Sequence, residues 1–147
     1  MADDANLTLI KQVTQDWVTG NYDAIMPHVA DDAEYMIARG SMAKLSPLFG
    51  HFKGKNAIKR WYAANQKARH QGGIQPFCRP GNLGEFISTG DQVVSFGTLP
   101  AGGGAPKSDW VAIWTLKRGL VAKCWMVMDT ATAFVKMKKA NPKLKLA

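Results

Sequence analysis

Residues 108–134 (SDWVAIWTLKRGLVAKCWMVMDTATAF) constrain the fold more than any other part of the chain. They hold two long apolar runs, at 109–116 and 121–128, each with the length of a strand. A short connection containing Arg118 and Gly119 separates the runs, which is typical of a tight hairpin turn. The stretch therefore predicts two neighbouring antiparallel strands near the centre of a sheet.

Both faces of this hairpin are mostly apolar, so we predict that both are covered. Side chains alternate between the two faces of a strand, which gives each run two sets of residues. In the first run, Trp110, Ala112, Trp114 and Leu116 share one face, and Asp109, Val111, Ile113 and Thr115 share the other; in the second, Ala122, Cys124, Met126 and Met128 alternate with Val121, Lys123, Trp125 and Val127.

The N-terminal half predicts three helices. Residues 6–19 have helical apolar spacing, with Asn6 as the cap and Gly20 as the stop. A short second helix follows, with Asp23 as its cap and Pro27 in its first turn. Asn56 is predicted to cap the third helix, whose apolar face carries Ile58, Trp61, Tyr62 and Asn65.

Several further strands are predicted around the hairpin. A first strand at 33–37 follows a polar turn formed by Asp31 and Asp32, and Asp129 is expected to cap a short closing helix after the hairpin. The remaining segments are a loop at 40–54 whose apolar side chains must pack, strands at 74–79, 84–89 and 92–99, and a glycine-rich loop at 100–106 that is not a phosphate loop.

Length and composition indicate one soluble domain over residues 1–147. The chain is 46% hydrophobic and 20% charged, has no apolar run long enough for a membrane span, and begins with an acidic segment unlike a secretory signal. Cys78 and Cys124 lack partners at metal-binding spacing and are expected to be free thiols in the cytoplasm. Neither a metal nor a cofactor is predicted.

The net charge of +8 is unevenly distributed. Five lysines and no acid lie in the tail at 136–147, which leaves +3 for the rest of the chain. No acid occurs between Glu34 and Glu85. An anionic ligand or a nucleic acid would suit such a basic surface, but no nucleic-acid-binding motif accompanies the charge. A solvated basic surface with a basic tail is the favoured interpretation.

The element order predicts an α+β fold in which helices cover one face of a curved antiparallel sheet. A sheet that curves around helices leaves a conical cavity, and such cavities are where small ligands bind. The sequence therefore gives the architecture more directly than it gives the reaction.

The chain resembles the SnoaL-like branch of the nuclear transport factor 2-like superfamily, which includes ketosteroid isomerases. The resemblance covers most of residues 7–134, and it depends on the order and spacing of several pieces. It implies a cone-shaped sheet around three helices, a homodimer, and a pocket inside the cone. The matching pieces are 17–25 (WVTGNYDAI), 29–35 (VADDAEY), 52–62 (FKGKNAIKRWY), 85–94 (EFISTGDQVV), 109–119 (DWVAIWTLKRG) and 129–131 (DTA).

The resemblance also implies where related enzymes place their proton-transfer groups, and this chain is apolar at each position. The isomerase base aligns with Ile37, and the oxyanion-hole tyrosine aligns near Val13. The assisting acid aligns with Ala112, where polyketide cyclases carry histidine, and the acid of cyclases and epoxide hydrolases aligns with Met126. An apolar side chain cannot shuttle a proton, so none of these mechanisms transfers to this chain.

Two side chains are the remaining catalytic candidates. Asp109 could act as a base, although it is out of phase with the tryptophans of its strand. His51 lies between two phenylalanines and could sit at a pocket mouth. Arg39 could face an anionic group, and Tyr35 and Tyr62 could each donate a hydrogen bond, although packed tyrosines are commoner.

The leading hypothesis is a cup that binds a small, largely apolar molecule of aromatic, steroid-like or polyketide-like type. One alternative is an isomerase, cyclase or hydrolase-type enzyme whose acid or base has moved to Asp109 or His51. Another is an interaction module that forms a homodimer through the outer sheet face. The predicted pocket wall consists of Val13, Trp17, Tyr35, Ile37, Phe49, Trp61, Trp110, Ala112, Trp114, Met126 and Met128.

Overall fold

The fold was analysed in a computed structural model of the chain, which describes residues 4–44, 46–70, 83–99, 108–129, 138–139 and 142–143. The predicted strand at 74–79, the glycine-rich loop at 100–106 and the closing helix after Asp129 lie outside the described residues, as does most of the basic tail.

Three α-helices and six strands make up the described fold. Two short 3₁₀ helices, Met26–His28 and Ser41–Lys44, connect them. The helices are α1 (Ala5–Thr19), α2 (Tyr22–Ile25) and α3 (Lys55–His70); the strands are β1 (Val29–Ile37), β2 (Gly50–Lys53), β3 (Glu85–Ser88), β4 (Gln92–Leu99), β5 (Ser108–Lys117) and β6 (Leu120–Met128).

The six strands form one sheet in the order β2-β1-β6-β5-β4-β3. Four neighbouring pairs are antiparallel, and β1 and β6 are parallel, so the sheet is mixed where the sequence predicted an antiparallel one. A parallel pair is possible here because most of the chain lies between its two strands, which leaves ample length for the crossover. The predicted α+β class, with helices on a curved sheet, is confirmed.

The β5–β6 hairpin closes as the sequence predicts. Arg118 and Gly119 have φ values of 53° and 73°, and Lys117 pairs with Leu120 on either side of them. Two consecutive residues with positive φ are the hallmark of a tight turn whose twist matches that of the strands. A register shift between Thr115 and Leu116 then interrupts the pairing of the two strands.

Helix α1 starts earlier than predicted. Asp4 is the N-cap, because its backbone is extended and its carboxylate accepts a hydrogen bond from the Leu7 N–H at 3.1 Å. Asn6 is inside the helix, and its amide donates to the Gly90 carbonyl at 2.7 Å. The predicted stop is confirmed, since Gly20 has a φ of 82° and its N–H bonds back to the last turn.

The second helix also differs in its details. Helix α2 begins at Tyr22 after Asn21, so Asp23 lies in its first turn and is not its cap. A carboxylate in that turn still interacts favourably with the helix dipole. Pro27 belongs to the following 3₁₀ helix and lies at its start, where a missing N–H costs little.

Strand β1 is longer than predicted, because Asp31 and Asp32 belong to it and do not form a turn before it. Both side chains are exposed. Pairing with β6 is irregular between Val29 and Glu34, so the two acids lie where the ladder is interrupted and water can reach them.

The segment 40–54 packs on the core, as its apolar content predicts. Leu48 and Phe49 are buried, and the Trp61 indole N–H donates to the Leu48 carbonyl at 3.0 Å. The end of the segment forms the edge strand β2. Leu45 lies outside the described residues.

One hydrophobic cluster fills the space between the helices and one face of the sheet. Helix α3 packs against β1 and β2, and α1 packs against β3 and β4. The predicted face of α3 is confirmed, because Ile58, Trp61, Tyr62 and Asn65 are all buried. Helix α3 begins at Lys55, so Asn56 lies in its first turn.

Replacing Gly119 with alanine is expected to lower the free energy of unfolding by about 1 kcal/mol, because a Cβ is strained at this positive φ. No atom lies within 4 Å of an added Cβ, so the cost is conformational and not steric. Gly119→Asn is the matched control, since asparagine tolerates this conformation and should cost less. Urea denaturation measures both variants, and equal losses would contradict the assigned turn.

Candidate functional site

The inner face of the sheet is the face that packs on the helices, and its side chains form cross-strand rows. One inner row runs from Ile37 to Met126 to Ala112 to Ser95 across four neighbouring strands. All four side chains are buried. Three of these four positions are those where the family resemblance places proton-transfer groups, and the structure makes them direct neighbours.

A second inner row contains Tyr35, Cys124, Trp114 and Val93. Every one of these side chains is buried. Burial raises the pKa of the Cys124 thiol, which is therefore neutral and a poor nucleophile. Cys124 is a free cysteine, as predicted, and Cys78 lies outside the described residues.

Tyr35 lies at the centre of an aromatic cluster. Its ring centroid is 5.6 Å from that of Trp61 and 6.1 Å from that of Trp114, both in edge-on geometry. Trp17 stacks on Trp61 at 6.5 Å, which extends the cluster to α1. Edge-to-face contacts of this kind stabilise aromatic clusters beyond their burial of apolar area.

The hydroxyl oxygens of Tyr35 and Tyr62 lie 3.0 Å apart and form a buried hydrogen bond between β1 and α3. The two residues are 0% and 2% exposed. Burial raises the pKa of each hydroxyl above its ordinary value near 10. Both groups are therefore neutral at physiological pH and can donate hydrogen bonds.

Sequence reasoning predicted Tyr35 in the pocket wall and Tyr62 on the apolar face of the third helix, and it did not pair the two. The available signal was their phase, since Tyr35 alternates with Glu34 and Met36 on β1 and Tyr62 lies on the apolar face of α3. The contact joins two elements that are distant in sequence, so periodicity alone could not reveal it.

Ser95 is a second polar group of the inner face that sequence reasoning missed. It is 1% exposed, and its hydroxyl oxygen accepts a hydrogen bond from the Trp114 indole N–H at 3.0 Å. On β4, Ser95 shares a face with Val93 and Gly97, whereas Val94 and Phe96 lie on the other face. This phase was the signal that Ser95 points inward.

His51 does not lie beside the aromatic cluster. It pairs with Met36 on the outer face of the sheet, and its Nε2–H donates to Glu34 Oε2 at 2.7 Å. That hydrogen bond is the main reason why the pKa of Glu34 is lowered, with a smaller contribution from Lys53. Each partner's side chain is about a third exposed, at 34% and 37%.

Asp109 is also on the outer side, as its phase on the strand predicted. The residue is exposed, and its Oδ1 accepts a hydrogen bond from the Thr98 hydroxyl at 2.5 Å. Neither Asp109 nor His51 therefore contacts the inner rows. Within the described part of the chain, no three His, Cys, Asp or Glu side chains are grouped closely enough to hold a metal ion.

Arg39 lies over the exposed face of a tryptophan. Its guanidinium carbon is 5.6 Å from the ring centroid of Trp125, a cation–π geometry. The chain turns here because Ala38 has a φ of 43°, and the Ala38 N–H donates to the Met126 carbonyl at 3.0 Å. The groove beside this pair has a volume of about 630 Å³ and is lined by Ala38, Arg39, Gly40, Trp125, Met126, Val127 and Met128.

The outer face carries an apolar row that is only partly covered, contrary to the expectation that both faces are covered. Trp125 and Ile87 are 41% and 53% exposed, and Val127, beside the row, is 47% exposed. This outer apolar row consists of Met36, Trp125, Ile113, Val94 and Ile87, which oppose one another across β1, β6, β5, β4 and β3.

The structure brings the predicted pocket residues together on the inner side. All belong to the one hydrophobic cluster, Met128 as a partly buried member. Their role in binding a ligand stays a prediction. The set is Val13, Trp17, Tyr35, Ile37, Phe49, Trp61, Trp110, Ala112, Trp114, Met126 and Met128.

An α+β domain with a curved mixed sheet around an aromatic interior is the class of protein that these observations define. No protein-family model matches the sequence, and no curated protein matches it. Solved structures do match. TerC, co-crystallized with polyporic acid, is 26% identical with a TM-score of 0.68, over 92% of this chain and 98% of that chain.

Two further matches extend the comparison. An NTF2-like protein from Burkholderia xenovorans is 20% identical with a TM-score of 0.67, over 92% of this chain and 97% of that one. A candidate polyketide cyclase from Sinorhizobium meliloti is 18% identical with a TM-score of 0.55, over 82% and 94%. The chain has the nuclear transport factor 2-like fold, and the resemblance found in the sequence is confirmed.

Because of the buried tyrosine pair, the stability of the fold is expected to decrease at alkaline pH. Because the pKa of both hydroxyls is raised in the folded state, the stability that they contribute is complete below pH 10 and falls as pH rises through the folded pKa values. Native protein at about pH 11 should therefore keep both hydroxyls protonated.

Tyrosinate absorbance measures this directly. At about pH 11, Tyr35→Phe and Tyr62→Phe are each expected to leave the native absorbance unchanged and to lower the absorbance of the urea-unfolded chain. A loss of native absorbance in either variant would show that the hydroxyl ionises in the fold.

Proposed function

We propose that this protein binds a small, largely apolar molecule of aromatic, steroid-like or polyketide-like type inside its cone. The observation that carries the proposal is the inner row of Ile37, Met126 and Ala112, which is apolar and contiguous beside an aromatic cluster. Such a wall favours flat apolar ligands and contains no carboxylate that could abstract a proton.

The comparison with solved structures supports a small-molecule role. TerC, 26% identical to this chain, has been co-crystallized with polyporic acid. The other neighbours support the fold. None of the described helices is long and apolar enough to cross a membrane. A cytoplasmic location and the absence of nucleic-acid binding stay predictions from the sequence.

The alternative of an enzyme with a relocated acid or base is less well supported. Both sequence candidates are on the outer side of the sheet, where Asp109 is held by Thr98 and His51 by Glu34. A catalytic group must come within hydrogen-bond reach of its substrate, and neither side chain adjoins the inner rows.

Filling the cone tests the binding proposal. Ala112→Phe is expected to weaken binding of a planar aromatic probe at least tenfold, because the larger side chain occupies the proposed ligand volume on the inner face. Ile113→Phe is the matched control, since the adjacent residue points to the outer face and should leave binding unchanged.

Binding is measured by quenching of tryptophan fluorescence with an aromatic and steroid probe set, and circular dichroism checks that each variant is folded. A wild-type protein that binds no member of the set, or an Ala112→Phe variant that binds as tightly as Ile113→Phe, would contradict ligand binding in the cone.

Self-association through the outer face is a second proposal, and it is compatible with the first. The outer apolar row and Val127 leave a contiguous apolar surface in contact with water. Patches of this kind mark interaction sites. A second copy of the chain is the proposed occupant, because the resemblance to the nuclear transport factor 2-like superfamily implies a homodimer.

Trp125→Glu is expected to convert a dimer to a monomer, because it places a charge at the most exposed aromatic residue of the proposed interface. Lys117→Glu introduces the same side chain at an exposed position at the end of β5 and should leave the dimer intact. Sedimentation velocity at micromolar concentration distinguishes the species. A monomeric wild-type protein would overturn this proposal.

A further inference from the structure

A groove forms where β1 leaves the sheet before its neighbour β6 ends. The parallel pairing stops at Ile37, opposite Met126, and β6 continues to Met128. If β1 continued in register, Arg39 would lie opposite Met128. The chain instead turns away at Ala38, whose φ is 43° and whose N–H still donates to the Met126 carbonyl. On this side, the described end of β6 therefore borders a groove of about 630 Å³ and not another strand.

The walls of this groove are mainly apolar. Trp125 and Val127 are exposed along it, and Met128 is half-buried. Its volume lies within the range of about 300–1,000 Å³ that is usual for small-molecule sites. Covering these side chains with an apolar ring would remove apolar surface from water, which is favourable.

Arg39 carries the only charge among the described residues that line the groove. Its guanidinium lies over the Trp125 ring, 5.6 Å from the centroid, and this contact holds the cation at the groove wall. No carboxylate of the described residues forms an ion pair with Arg39. A guanidinium that contacts a ring through its face keeps N–H groups at its edge, where they can bind both oxygens of a carboxylate.

We propose that this groove is a second ligand site and that it binds planar aromatic carboxylates. The carboxylate accepts hydrogen bonds from the Arg39 guanidinium, and the ring packs on Trp125, Val127 and Met128. The cation selects the anionic group, and the apolar wall selects the ring that carries it. Arg39 and Trp125 are exposed and lie outside the inner rows, so this inference does not depend on ligand binding in the cone.

The probes 2-naphthoate and 2-naphthamide test the recognition of charge, because they have nearly the same shape and only the first is an anion. The wild type is expected to bind naphthoate about tenfold more tightly than naphthamide, since a hydrogen bond to an ionised acceptor is stronger than a neutral one. In Arg39→Gln this preference should disappear, because glutamine forms hydrogen bonds but has no charge. Isothermal titration calorimetry at low salt, where charge interactions are least screened, gives both affinities.

Arg60→Gln is the matched control. It removes the same charge from an exposed position on α3, so the preference for naphthoate should remain. Trp125→Leu is expected to weaken the binding of both probes by similar factors, because it removes the ring face and leaves the cation of Arg39 in place. All three positions are exposed, so the variants should fold, and circular dichroism checks this.

Two further variants separate the groove from the cone and from the outer-face dimer. Ala112→Phe fills the cone with a ring and should keep the preference for naphthoate. Trp125 also belongs to the outer apolar row, so a dimer would compete with the ligand for it. Ile113→Glu places a charge in that row and not in the groove, and it therefore keeps the groove accessible.

Three results would each overturn the groove site. The first is an equal preference for naphthoate in Arg39→Gln and Arg60→Gln. The second is a wild type and an Ile113→Glu variant that both bind naphthoate no better than naphthamide. The third is loss of the preference in Ala112→Phe, which would place the anion in the cone and leave the proposed function standing.

Discussion

The parallel pairing of β1 (Val29–Ile37) with β6 (Leu120–Met128) is the contact on which the rest of the structure depends. It joins the strand that supports α3 to the meander that supports α1. It also sets the register in which Tyr35 opposes Cys124 and Ile37 opposes Met126. Without it, the two inner rows would each be split between separate halves of the chain. The two strands are far apart in the sequence, so bringing them together costs loop-closure entropy, and the aromatic packing on the inner side is one of the contacts that offset this cost.

Local periodicity was enough to predict individual helices and strands, whereas features that depend on contacts between distant residues were not predicted. The alternation of apolar residues predicted the β5–β6 hairpin with its turn at Arg118 and Gly119, and helical apolar spacing predicted the buried face of α3. The predicted N-cap of α1 was wrong, because Asp4 and Asn6 are both good capping residues. The hydrogen bond from Asn6 to Gly90, which joins distant parts of the chain, cannot be seen in the sequence. The parallel pair could not be predicted either, since strand order depends on which distant segments meet.

The candidate site shows the same division. Phase alone correctly predicted that Ala112 and Met126 share the interior with the aromatic residues and that Asp109 lies on the other side. His51 was misplaced because segment 40–54 was read as a loop, whereas its last residues form an edge strand with its own alternation. To predict the Tyr35–Tyr62 hydrogen bond, one would have to know that α3 packs across β1, and the periodicity of the sequence does not contain that information.

The chemistry of the interior follows from how burial acts on each type of group. A buried carboxylate has a raised pKa and becomes a base that works near neutral pH, which is how related enzymes use this cone. A buried tyrosine hydroxyl also has a raised pKa, but it starts near 10, so burial moves it further from ionisation. It can donate a hydrogen bond and cannot remove a proton. The described interior therefore has neutral hydroxyls at Tyr35 and Tyr62, and it has apolar side chains at Ile37, Ala112 and Met126, the positions where related enzymes place a proton-transfer group.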